Sequence, residues 1–200
     1  MLNFEKLKQR ALSKEDKSSK ANQRFALNRP SVANPKEYWD YKIRALCESI
    51  NSKEEYYTTS SCSGRVVLIE DEDKKGPGLF YFVSHDKITL KELKKELGRI
   101  KKGDVRFKQE PCILHVACKT LNDAQKLLKK AQSAGWKRSG IISSKEGFVC
   151  ELMSTEKLEF PIISNGKILV GDDFLKIVIK KSNENLKKSW DNIWGLEKSI

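Results

Sequence analysis

Ten consecutive residues, Tyr56-Tyr-Thr-Thr-Ser-Ser-Cys-Ser-Gly-Arg65, gather hydroxyls, a thiol, a glycine and an arginine immediately before the run Val66-Val67-Leu68-Ile69. Such a segment is poor core material and suits ligand contact. Ser60, Ser61 and Ser63 offer hydrogen-bond donors and acceptors. Gly64 permits a backbone conformation or a close ligand approach denied to other residues, and Arg65 carries a planar fork matched to a carboxylate or phosphate. Cys62 adds a thiol that Arg65 and nearby amides can stabilise as thiolate. Two readings stand side by side: a polar turn between strands, or one wall of a site.

Three further clusters sit where strands are expected to end or break. They are Ser84-His85-Asp86, Glu110-Pro111 leading to His115, and Ser139-Gly140 with Ser154-Thr155. Strand ends meeting at one rim of a sheet would bring them together. The chain has two histidines, and both fall in these stretches. Imidazole is the usual proton carrier near neutral pH, and Asp86 beside His85 offers a charge partner. His115 lies within Ile113-Leu-His-Val-Ala117, an apolar strand where the ring can equally be a satisfied interior group. Cys62 with His85 as its base would make a thiol nucleophile, but no dedicated nucleophile motif surrounds it, and a lining role competes. Two histidines and no clustered carboxylates leave no catalytic metal site expected.

Neither Gly-x-x-x-x-Gly-Lys-Ser/Thr nor a strand followed by Gly-x-Gly-x-x-Gly occurs, which argues against a P-loop or Rossmann site. Gly171 in Leu169-Val-Gly-Asp-Asp173 is better explained by a helix cap. Lys plus Arg number 39 against 27 acidic residues, a formal net charge of +12. That excess favours a polyanionic partner, although a lysine-rich surface also serves solubility. Lys91 to Lys102, Lys126 to Lys130 and Lys176 to Lys188 form basic faces able to track phosphates, or ordinary solvated ones. Tyr56, Tyr57 and Trp136 either stack on a base or pack in the interior. Five cysteines, an odd number with no Cys-x-x-Cys, argue against a disulfide framework or zinc ribbon, and Cys112 and Cys118 read as small buried hydrophobes. Met1 to Lys8 lacks the apolar core of a signal peptide and no stretch reaches membrane-spanning length, so a cytoplasmic, reduced chain is expected.

The elements that must position these groups follow from periodicity. Leu2, Phe4, Leu7, Ala11 and Leu12 predict a short helix, and 21–34 reads as irregular. Asn34 with Pro35 predicts the start of a second helix whose apolar face is Tyr38, Tyr41, Ala45 and Leu46. Val66 to Glu70 and Leu79 to Val83 pair as a hairpin. Thr89 with Glu92 forms a capping box for a helix through Leu90, Leu93 and Leu97. Val105 to Lys108 and Cys112 to Cys118 are strands broken at Pro111, and 122–134 is a helix stopped by Gly135. Two hairpins follow, Trp136 to Ser143 with Phe148 to Ser154, and Leu158 to Ile163 with Lys167 to Val170 turning at Asn165-Gly166. Asp172 caps a last helix carrying Phe174, Leu175, Val178, Leu186, Trp190 and Ile193 inward. Without a regular βαβ rhythm, the pattern predicts an α+β fold: a mixed, largely antiparallel sheet with flanking helices, in a single domain with an N-terminal extension (1–34) and a long C-terminal helix (172–196).

The order and wording of these motifs resemble the tRNA wybutosine-synthesizing protein 3 family. Tyr56 to Arg65, Ser84-His85, Phe107 to Cys118, Ser139-Gly-Ile141 and Ser154-Thr155 with Leu158 to Pro161 carry the similarity. So do Leu12 to Lys20 and Asp123-Ala-Gln125. The resemblance spans about Leu12 to Val170. It implies an enzyme that uses S-adenosylmethionine to methylate a ring nitrogen (N-4) of the tricyclic wyosine-type base beside the anticodon of phenylalanine tRNA, on a fold outside the Rossmann methyltransferases. Carried onto this chain, Ser60, Ser61, Cys62, Ser63, Gly64 and Arg65 would line the cofactor, with Ser139, Gly140, Ser154 and Thr155 as the opposite wall. His85 would receive the proton, supported by His115 and Glu110. A non-catalytic basic RNA-binding module and a hydrolase or transferase built on Cys62 and His85 are the competing expectations.

Overall fold

The computed structural model describes residues 4–9, 11–12, 40–71, 78–144 and 147–200. Residues 4–9 and 11–12 are helical (α1). There follow α2 (Tyr41–Asn51), β1 (Tyr56–Cys62), β2 (Arg65–Glu70), β3 (Phe80–Ser84), α3 (Leu90–Leu97), β4 (Val105–Glu110) and β5 (Ile113–Cys118). Then come α4 (Leu121–Ser133), β6 (Gly140–Ser144), β7 (Gly147–Met153), β8 (Leu158–Ser164), β9 (Lys167–Ile168) and α5 (Asp172–Glu197). They divide into two compact units, one of Met1–Cys62, Ile113–Ser154 and Asn192–Ile200, the other of Ser63–Cys112 and Thr155–Asp191.

The first unit is built on an antiparallel sheet of order β1-β5-β7-β6. Alternation along β5 and β7 sends Leu114, Val116, Cys118, Cys150 and Leu152 to one buried face. Helix α4 buries Ala124, Leu127 and Ala131, and Cys150 Sγ donates to the Ala124 carbonyl at 3.4 Å. In α2 the buried residues Ile43, Leu46, Cys47 and Ile50 recur at helical spacing. The helix ends at Asn51, whose Oδ1 accepts from Thr58 N at 2.7 Å and whose Nδ2 donates to Thr58 Oγ1 at 3.0 Å. That clamp fixes β1 just ahead of its polar half.

The second unit carries a sheet of order β3-β2-β4-β8-β9, also antiparallel throughout. Val66, Leu68, Val105, Phe107 and Ile162 form its core with Leu93 and Leu97 of α3 and Leu175, Val178, Ile179 and Leu186 of α5. Phe107 stacks on Phe160 with ring centroids 5.2 Å apart. Thr89 and Glu92 make both hydrogen bonds of a capping box at the start of α3. The β8–β9 turn places Asn165 at φ 50° and Gly166 at φ 73°, the two left-handed positions that a type I′ hairpin requires. A Cβ at Gly166 would collide with the Lys101 carbonyl.

The α+β class and the antiparallel character agree with the sequence, while the strands form two sheets in place of the one mixed sheet expected. Three local expectations change. Helix α2 begins at Tyr41 with Asp40 as its N-cap, and residues 34–39 lie outside those described. Its face is therefore rotated: Tyr41 is 67% exposed, and Ile43 and Cys47 occupy the interior. Helix α5 begins with Asp172 itself, so Asp172 serves the first turn, where a carboxylate suits the helix dipole. Phe174 is 44% exposed, although its ring meets Phe160 edge-on at 5.4 Å. Trp136 precedes its hairpin instead of joining it.

On β8, Glu159 accepts from Lys157 at 2.6 Å and Lys108 at 2.9 Å. Those bonds, Lys157 first, pull its pKa from 4.5 to about 2. A depressed carboxylate stabilises the fold above its unfolded pKa and ceases to do so as pH falls through the folded value. Urea unfolding of wild type and Glu159→Gln should accordingly show a stability gap that is constant above about pH 5 and closes towards pH 2. A gap independent of pH would contradict this.

Candidate active site

Strand β5 places His115 mid-sheet in the first unit. The antiparallel register sets Ser60 of β1 opposite it on one side and Glu151 of β7 on the other, with Gly140 of β6 beyond Glu151. Residues opposite one another in register share a face, so these four form a row across the sheet. Ser60 Oγ is 2.9 Å from His115 Nδ1, and His115 Nε2 is 2.9 Å from Glu151 Oε2. The alternation that buries Leu114 and Val116 turns His115 to the other side. Its side chain is 27% exposed and that of Glu151 37%. The row is thus open to a ligand yet held by two hydrogen bonds.

A β-bulge aims Ser60. Tyr57 pairs with Ala117 and Thr58 with Val116, but the register then shifts so that Ser60, not Thr59, faces His115. A bulge inserts one unpaired residue and re-aims the side chains beyond it. Thr59, the extra residue, donates its hydroxyl to the His115 carbonyl at 3.3 Å. The next row holds Cys62, Ile113 and Met153. Ser139 is committed to the backbone, its Oγ donating to the Trp136 carbonyl at 2.5 Å and accepting from Met153 N at 3.1 Å. Ser154 is buried.

In the second unit Arg65 Nε meets Glu110 Oε2 at 2.5 Å, directly across β2 and β4, with about a third of each side chain exposed. The guanidinium also lies 5.3 Å from the centre of the Phe80 ring. Gly64, at φ 98°, packs so closely that an added Cβ would stand 3.1 Å from the Glu110 carbonyl and 3.4 Å from Leu186. Ser63 is fully buried. Behind Glu110 lies a buried polar network. Gln109 Nε2 donates to the carbonyls of Glu110 at 3.1 Å and Glu156 at 3.2 Å, and Asn185 Nδ2 donates to Gln109 Oε1 at 2.6 Å. Burial raises the Glu156 carboxyl, but hydrogen bonds from Lys188, the backbone and Thr155, with the Lys188 charge, outweigh it and leave it below the usual range. His85, half-buried, follows β3 in a turn where Ser84 Oγ accepts from Asp86 N at 3.2 Å.

Of the residues singled out by sequence, Ser60, Ser61, Cys62, His115, Ser139, Gly140 and Ser154 belong to the first unit. Ser63, Gly64, Arg65, His85, Glu110 and Thr155 belong to the second. The structure joins Ser60 to His115 and Arg65 to Glu110. The base-stacking role is overturned for the three aromatics because all are interior. Trp136 is fully buried with Nε1 donating to the Asn192 carbonyl at 3.0 Å. Tyr56 donates to the Asp123 carbonyl at 3.0 Å, and burial pushes its phenol up. Tyr57 is buried, its ring centre 5.3 Å from that of Phe4. Sequence reasoning missed Glu151, Gln109 and Asn185, and placed Lys188 on a basic face where the structure pairs it with Glu156. For Glu151 a signal existed: in Phe148-Val-Cys-Glu-Leu-Met153 period-two alternation sets a carboxylate on the face opposite Cys150 and Leu152.

With this geometry in hand, comparison with known proteins is specific. The family model described as Methyltransferase TYW3 matches residues 15–200. The chain is 34% identical over 163 residues to the tRNA(Phe) 7-((3-amino-3-carboxypropyl)-4-demethylwyosine(37)-N(4))-methyltransferase of Archaeoglobus fulgidus, covering 80% of this chain and 82% of that one. It is 36% identical over 159 residues to the tRNA wybutosine-synthesizing protein 3 homolog of Danio rerio, covering 74% of this chain and 63% of that protein. A solved protein of Pyrococcus horikoshii superposes with a TM-score of 0.82 at 32% identity, over 99% of this chain and 94% of its own.

The crowding at Gly64 gives a test of the site's framework. Gly64→Ala should lower stability in urea unfolding by about 1–3 kcal/mol, from left-handed strain and displacement of the Glu110 carbonyl. An unchanged midpoint would show that the backbone there relaxes freely.

Proposed function

The chain belongs to the Methyltransferase TYW3 family, and from that premise we propose that it is an S-adenosylmethionine-dependent tRNA methyltransferase of wyosine-derivative biosynthesis. Its substrate is phenylalanine tRNA carrying a 4-demethylwyosine-type base at position 37, and its product bears a methyl on N-4. The single observation that carries the chemical reading is the Ser60–His115–Glu151 row, a proton path open to solvent at its serine end.

The donor set suits the cofactor. Its amino-acid end presents a carboxylate and an ammonium, and Arg65 with Glu110 offers one group of each opposing sign, side by side and half-buried. In the same unit Gly64 brings a close backbone next to Arg65. When bound, the cofactor supplies an electrophilic methyl on a sulfonium.

A ring nitrogen that gains a methyl and ends neutral must release its proton. Ser60 Oγ takes that proton while its own passes to His115 Nδ1, and the resulting imidazolium rests against Glu151. Positioning by the rigid sheet supplies much of the remaining acceleration. His85, at the end of β3, is the rival proton acceptor. The formal charge of +12 draws the anticodon arm onto exposed lysines such as Lys126, Lys129 and Lys130 of α4. No described helix is long and apolar enough to cross a membrane, and the cytoplasm, where tRNA is modified, is the proposed compartment.

Titration calorimetry with S-adenosylmethionine should give binding heat for wild type and for His115→Ala alike. In methyl-transfer assays His115→Ala should lower kcat by about 10²–10⁴, with a smaller loss in His85→Ala. The reverse ranking would assign the proton to His85, and absence of cofactor heat even with tRNA present would overturn the methyltransferase reading.

A further inference from the structure

We infer that Glu151 is a positioning residue that selects the tautomer of His115 and so makes Nδ1 the nitrogen able to take a proton. This rests on the methyltransferase reading for its consequence in catalysis, but not for the geometry itself.

A carboxylate offers acceptors only, so the 2.9 Å contact between Glu151 Oε2 and His115 Nε2 requires a hydrogen on Nε2. In the neutral ring, Nδ1 is then the unprotonated nitrogen and faces Ser60 Oγ at 2.9 Å. The serine hydroxyl must donate, leaving its lone pairs turned towards whatever approaches the open face. Without the carboxylate the ring can take the other tautomer, in which Nδ1–H donates to Ser60 Oγ and no base remains at the open end. Choosing one protonation pattern by a partner on the far nitrogen is the role an orienting carboxylate plays for histidine generally.

The placement is built in. Glu151 faces His115 in direct register, on a strand that is itself central between β5 and β6. Its neighbours on the same strand face are Val149 and Met153, and the residue facing it on β6 is Gly140, with open space where a Cβ would stand. Among the contacts described for Glu151, His115 is the sole charged or polar side chain. The ring and the carboxylate thus settle their hydrogen bonding with each other.

The test uses the full chain labelled with ¹⁵N. Long-range ¹H–¹⁵N spectra report which imidazole nitrogen bears hydrogen, and with only two histidines in the chain a His85→Gln variant assigns the signals. Wild-type His115 should show Nε2–H with Nδ1 unprotonated. Glu151→Gln keeps the size of the side chain but can donate through its amide, and should shift His115 towards Nδ1–H. It should lower kcat about a hundredfold or more with KM for tRNA and cofactor heat unchanged, while Glu151→Asp restores the wild-type tautomer and part of kcat.

Wild-type His115 in the Nδ1–H form overturns the inference without any variant, as does a Glu151→Gln protein whose tautomer or kcat is unchanged. Loss of activity with the tautomer intact, or with a collapsed melting transition, also overturns it in favour of a structural role. Should wild type transfer no methyl, the methyltransferase reading fails, and the spectra still decide whether Glu151 holds the ring.

Discussion

A histidine held from both sides can distribute its hydrogens in few ways, and the rest of this site depends on that restriction. His115 is gripped between Ser60 and Glu151 at 2.9 Å on either nitrogen. The sheet exists in a form that makes the grip possible: three strands must be paired in one register, β1 against β5 and β5 against β7. A slip of one residue would turn the whole row to the other face, where Leu114 and Val116 are buried. The apolar face therefore sets the polar one. Burial of Leu114, Val116, Cys150 and Leu152 stabilises the register by several kcal/mol, far more than two exposed hydrogen bonds could.

The bulge at Thr59 is the local exception that the chemistry needs. A regular ladder from Tyr57 onward would put Thr59 against His115. The extra residue moves Ser60 there, and the Asn51 clamp on Thr58 fixes where the shift begins. On the other side of Cys62, Gly64 turns the chain through a left-handed conformation that lets Arg65 enter β2 opposite Glu110. The motif Tyr56 to Arg65 is therefore two devices joined end to end: a bulged strand that aims a hydroxyl and a glycine turn that delivers a guanidinium.

Much of this is legible in the sequence where the signals are local. The capping box at Thr89, the Asn165-Gly166 turn, the Gly135 stop and the break at Pro111 are set by the chemistry of a few adjacent residues, and each appears where those residues predict. The start of α2 is misplaced by sequence because Asn34-Pro35 is as good a local cap as Asp40. Ile43 and Cys47, not Tyr41, decide its buried face through packing that sequence does not display. Glu151 and Asn185 escape notice for a similar reason: their significance lies in partners 36 and 76 residues away. The bulge leaves no sequence signature at all, since Thr59 and Ser60 are chemically alike and only tertiary register distinguishes them.

Mass analysis of the nucleosides released from phenylalanine tRNA, after incubation of the full chain with the demethylated pathway intermediate and S-adenosylmethionine, decides whether the protein transfers a methyl to its base. A methyltransferase yields a gain of one methyl, located on the tricyclic base and absent when cofactor is withheld. Bound tRNA with no methylated product would contradict that reading and leave a basic RNA-binding protein in its place.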